Sequence, residues 1–75
     1  MKVYFDQSTN YAEIFLSNKP YYEVSVSKNL WQYRSCQEDE IVGYGIYKAS
    51  KSIYESNLLS SEMILKCSKL IKEGG

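Results

Sequence analysis

With 75 residues, 44% of them hydrophobic and 24% charged, the chain can bury one small core and is too apolar to be a disordered segment. Nine basic and nine acidic side chains cancel, so no global field draws in nucleic acid or an anionic membrane. Histidine is absent, and the two cysteines, Cys36 and Cys67, form no CxxC pair, which removes the usual general base near neutral pH and the commonest metal ligand.

The charge is uneven along the chain. Residues 1–47 hold four basic and six acidic side chains, and residues 48–75 hold five and three. That dipole can orient a partner, or it is the solvated face of a helix with a lysine-rich end. No charged-then-apolar leader opens the sequence, and no apolar run approaches the roughly 20 residues that span a bilayer. The expectation is a cytoplasmic protein without membrane contact, carrying two free thiols, with Cys67 in the core.

Lys2-Val-Tyr-Phe-Asp6 is rich in β-formers, and Gln7-Ser-Thr-Asn10 has turn chemistry, so a hairpin opens the chain. The return strand Tyr11–Ser17 alternates Ala12, Ile14 and Leu16 with Tyr11, Glu13 and Phe15. Val3 and Phe5 are the natural partners of the first set. Asn18-Lys-Pro20 breaks the run, because proline offers no amide to a ladder. A third strand follows, in which Tyr22, Val24 and Val26 alternate with Glu23 and Ser25. Ser27-Lys-Asn29 turns the chain into a fourth, Leu30–Arg34, and Ser35–Glu40 forms the last loop.

The central stretch is Ile41–Ser50. Gly43 and Gly45 share one strand face with Ile41 and Tyr47, and Val42, Tyr44 and Ile46 point the other way. Two glycines on one face imply strong curvature or close approach of a bulky neighbour, for which Trp31 or Tyr33 is available. Beyond Ala49 the period becomes helical: Leu59, Met63, Cys67 and Leu70, with Ile64 and Ile71 beside them, form an apolar stripe. Ser52, Ser60 or Ser61 can cap this helix, expected over about residues 58–72, and Gly74 and Gly75 can stop it. The sequence thus predicts a single α+β domain over 1–75. A four- to five-stranded, curved antiparallel β-meander occupies 1–50, and one C-terminal amphipathic helix within 51–75 packs on it.

Phe5-Asp6, Asn10-Tyr-Ala-Glu-Ile14, Gly43-Tyr-Gly-Ile46 and Ala49-Ser50 resemble the motifs of a family of small prokaryotic proteins, the domain of unknown function 2283 family. That pattern runs from an aromatic-Asp strand end, through a second Asp, into two further strands and an Ala-Ser pair. This chain departs from it at Asn10, Glu13 and Gly45. The resemblance covers residues 1–50 and implies the sheet, with no activity attached.

Candidate chemistry is sparse. Asp6, Ser8 and Asn10 are spaced like the start of a calcium loop, but Tyr11 and Ser17 stand where a glycine and an acid are needed. A turn braced by the Asp6 and Asn10 side chains is the simpler account. Glu38-Asp-Glu40 reads as a solvated loop. Cys36 and the serines have no histidine to activate them, so no catalytic residue, metal or cofactor is assigned.

Eight tyrosines, two phenylalanines and one tryptophan are the unusual feature. Stacking on bases would need a basic groove, whereas the basic residues here are scattered among acids. Tyrosine and tryptophan suit a protein interface, giving large area with few rotors and a polar tip. The leading expectation is a non-enzymatic interaction module, of the kind that serves as an inhibitor or regulator on a phage or other mobile element. It would bind another protein, or itself as a homodimer, through Tyr11, Phe15, Trp31, Tyr33, Gly43, Gly45 and Tyr47 or through a strand edge. The alternatives are a small-ligand or nucleotide binder with its pocket over Gly43 and Gly45, and, third, a nucleic-acid binder. A further possibility is that the aromatics fold into a second small core.

Overall fold

Alternating β-formers interrupted by polar turns become five antiparallel strands followed by a C-terminal helix packed on the sheet, the α+β arrangement that the periodicity predicts. The computed structural model describes residues 1–74. Its elements are β1 (Lys2–Asp6), β2 (Tyr11–Phe15), β3 (Tyr21–Ser27), β4 (Leu30–Ser35), β5 (Ile41–Tyr47), α1 (Ala49–Ser52) and α2 (Ser61–Gly74).

The strand order is β1-β2-β5-β4-β3, which departs from a simple meander. A hairpin, β1–β2, and a three-stranded meander, β3–β4–β5, are joined where β5 pairs with β2. The physical reason lies in β5 itself. Val42 through Ile46 are all buried, so this strand takes the central position, with a neighbour on each side and both faces covered. The segment between β2 and β3 crosses the end of the sheet, where Lys19 Nζ pairs with Glu38 at 3.4 Å and also with Glu40, both in the β4–β5 loop. Leu16 belongs to this crossing and is 43% exposed, so it does not join the face of Ala12 and Ile14 as the alternation suggested.

One face of the sheet carries the main core. Ala12, Ile14, Leu30, Tyr44 and Ile46 meet Ala49, Ile53, Leu59 and Cys67, and Val3, Phe5, Met63, Ile64 and Ile71 pack around them. At about 25 cal/mol per Å2 of apolar surface removed from water, this burial is the main stabilising term. Desolvation pushes the buried Cys67 thiol up to about 11; Cys36 is also free but exposed.

The helical region differs in detail from the sequence expectation. Lys48 takes a left-handed conformation, φ 52°, and turns the chain into α1, which the polar residues Ser50, Lys51 and Ser52 concealed. Ser60, not Ser52, caps α2: its Oγ accepts from the Met63 amide at 3.2 Å. The helix therefore starts about three residues later than expected. It also runs through Gly74, so Gly74 does not stop it, and Gly75 lies outside the described residues. Among the described residues, no helix is long and apolar enough to cross a membrane.

Candidate functional site

The helical core residues all gather on one side of the sheet, which leaves the other side to the second set of alternating residues. Cross-strand partners share a face, so the register maps it directly. One row holds Tyr4, Glu13, Gly45 and Trp31, with Ser25 opposite Trp31. The next holds Lys2, Phe15, Gly43, Tyr33 and Glu23, and Asp6, Tyr11 and Tyr47 lie beyond the first.

The glycine strip is filled. A Cβ at Gly43 would run into the Ile14 carbonyl oxygen and meet the Tyr33 ring at 3.1 Å, and one at Gly45 would run into the hydroxyls of Tyr11 and Tyr33. Among the described residues no glycine has positive φ; these two are required for space, not for conformation. Tyr33 lies across both and is fully buried, 0% exposed. The residue that closes the strip is therefore Tyr33 and not Trp31, and no room is left for a ligand directly on the glycine backbone.

Tyr33 also organises its surroundings. Its ring stacks on Tyr21 at 4.5 Å and tilts against Phe15 at 5.5 Å, and Phe15 meets Tyr4 edge-on at 6.0 Å. Its hydroxyl donates to Glu13 Oε2 at 2.7 Å and lies 2.5 Å from the Tyr11 hydroxyl. Tyr11 tilts against Tyr47 at 4.8 Å. Burial first, then the hydrogen bonds to Tyr11 and Glu13, hold the Tyr33 phenol far above its ordinary range. Burial likewise raises Tyr11 and Tyr21, with the charges of Glu13 and Glu23 adding to it.

The site residues read from sequence thus divide in two. Tyr33, Gly43 and Gly45 form a buried base. Tyr11, Phe15 and Trp31 are half-buried around it, and Tyr47 is 48% exposed at the rim. Tyr21 and Tyr4, 39% and 53% exposed, and the carboxylates of Glu13 and Glu23 stand on the same face. Tyr21 was missed because it directly follows Pro20, and its face depends on pairing with Ser35. An open groove of about 560 Å3 runs off this face, lined among others by Lys2, Tyr4, Phe15, Lys19 and Tyr21.

The turn at Asp6–Asn10 is braced by its own side chains. Asp6 Oδ1 accepts from the amide and hydroxyl of Ser8 at 3.0 and 2.7 Å, which lowers the Asp6 pKa. Asn10, at φ 55°, reaches the start of α1. Its Nδ2 donates to Ser50 Oγ at 2.9 Å and its Oδ1 accepts from the Ser50 amide at 3.0 Å. The motif residues Asn10 and Ala49-Ser50, distant in sequence, are therefore one structural unit that ties the first hairpin to the end of β5. Compared with protein-family models, curated proteins and solved structures, the chain finds no match.

Proposed function

We propose that this chain is a small, non-enzymatic, cytoplasmic binding protein that docks on another protein through the aromatic face of its sheet. The observation that carries this reading is the two-level build of that face. A buried Tyr33 holds Tyr11, Phe15 and Tyr21 directly, and the partly exposed Tyr4, Trp31 and Tyr47 stand around them on the side that the helices leave open. Rings held in place lose little freedom on binding, and their hydroxyl tips tolerate water when no partner is present. Binding hot spots are enriched in the same residue types.

The test is retention of a partner from the native host by the wild-type chain and by Trp31→Ala and Tyr47→Ala, with thermal unfolding followed in parallel. Loss of the partner by variants that unfold like the wild type supports the reading; equal retention by all three contradicts it. A second copy adding to the free side of β3 is the homodimer alternative, and a concentration-dependent mass in solution, abolished by changes in β3 alone, would favour it.

One observation favours a small-ligand reading as well. The groove beside Phe15 is lined by Lys2, Tyr4, Phe15 and Tyr21, and the charge of Lys2 beside those rings suits an aromatic anion such as a nucleotide. A nucleotide at 100 times its dissociation constant should stabilise the fold by about 2.7 kcal/mol. Absence of any thermal shift across a nucleotide panel removes this reading.

A further inference from the structure

Two carboxylates interrupt the aromatic face. Glu13 stands between Tyr4 and Gly45 in its row, and Glu23 stands opposite Tyr33 in the next. They bracket the Tyr33 ring, whose hydroxyl holds Glu13 through Oε2. Among the described residues neither carboxylate has an ion-pair partner. The paired cations are bound to other acids: Lys19 to Glu38 and Glu40, Arg34 near Asp39, Lys66 near Glu62. Five of the nine basic residues follow β5 in sequence, and Lys2, at the β1 end, is the basic residue whose register places it on this face.

Unpaired carboxylates set among tyrosine rings select for one kind of partner. Close to Glu13 and Glu23, anionic segments and nucleic-acid phosphates are repelled. A cation is attracted twice, by the carboxylates and by the negative ring faces. Guanidinium fits better than ammonium because it is planar, stacks on a ring, sheds water more readily and offers several donors in one plane.

We infer that the segment docked on this face is basic, with arginine side chains laid over the tyrosine rings and their guanidinium groups bonded to Glu13 on β2 and to Glu23 on β3. The inference rests on the protein-docking reading above and adds the partner's chemistry to it.

The single tryptophan, Trp31, lies between Gly45 and Ser25 on this face and reports binding by its fluorescence. The probes are end-blocked tetra-arginine, tetralysine and tetraglutamate peptides. Tetra-arginine should give a saturable change that weakens with salt, tetralysine should bind less tightly, and tetraglutamate should do nothing. Glu23→Gln, which removes an exposed charge and keeps the size of the side chain opposite Tyr33, should weaken tetra-arginine about threefold to fivefold. Glu13→Gln keeps an acceptor for Tyr33 and should weaken it similarly.

No saturable response to tetra-arginine, an equal response to tetraglutamate, or unchanged affinity in both variants overturns the inference. If the Trp31→Ala chain still loses its captured partner in any of these cases, the docking reading stands and the partner's charge alone is wrong. If partner capture survives Trp31→Ala, the docking reading itself has failed.

Discussion

On the helix-covered face, Ile14, Ile46 and Ile53 are shut away beneath a second layer of chain; on the opposite face, aromatic rings lie over two glycines with no layer above them. Aliphatic side chains have no polar atom to offer water, so they require a cover. Tyrosine brings its own, since the ring fills the space above Gly43 and Gly45 and the hydroxyl finds Glu13 and Tyr11. The comparison teaches that tyrosine can fill the space over a glycine strip while the aromatic rings around it stay partly exposed.

The largest effect that would break the comparison is expected on the covered face. Ile14→Ala opens a cavity at a fully buried site and should cost about 2–5 kcal/mol in denaturant unfolding. On the aromatic face, Gly43→Ala pushes a methyl group toward the Ile14 carbonyl, which is backbone and cannot swing aside. Overpacking of this kind should cost about 1–3 kcal/mol. Gly45→Ala meets hydroxyl tips instead and should cost less; equal costs would mean that the Tyr11–Tyr33 pair is as unyielding as backbone.

Tyr33→Phe keeps the packing and removes the hydroxyl, leaving Glu13 and Tyr11 short of a partner, for about 1–2 kcal/mol. It also carries a pH signature. The Tyr33 and Tyr11 phenols are raised by folding, so their contribution is complete below the unfolded tyrosine value of about 10 and falls as pH rises above it. Thermal unfolding at about pH 8 and about pH 11 should show a loss in the wild type that is smaller in Tyr33→Phe. The smallest effect belongs to the helix side, where the buried Ser52 hydroxyl has no hydrogen-bond partner among the described residues. Ser52→Ala should be neutral or stabilise by up to about 1 kcal/mol, whereas the same logic applied to Tyr33 predicts a loss.

Period-two alternation made much of this legible in the sequence. It separated Ala12 and Ile14 from Tyr11, Glu13 and Phe15, and Tyr44 and Ile46 from Gly43 and Gly45, on the two faces where they stand. The helical stripe through Met63 and Cys67 was equally plain. Strand order was not, because a loop's length tells how far the chain can reach and not which strand it passes; five residues from Leu16 to Pro20 suffice to cross the end of the sheet. The crossing placed Leu16 in the open. Tyr33 rather than Trp31 covers the glycines because its partner is Gly43 and its ring reaches Gly45, a matter of register between β4 and β5 that neither strand declares alone. Ile53 entered the core unannounced because α1 is too short to show a period.

The most direct test of the central claim is the map of backbone amide shifts when the end-blocked tetra-arginine peptide is titrated into the labelled protein. Shifts should concentrate on Tyr11–Phe15, Glu23 and Trp31–Tyr33 and leave α2 silent. Shifts centred on α2, or spread evenly over the chain, would contradict it.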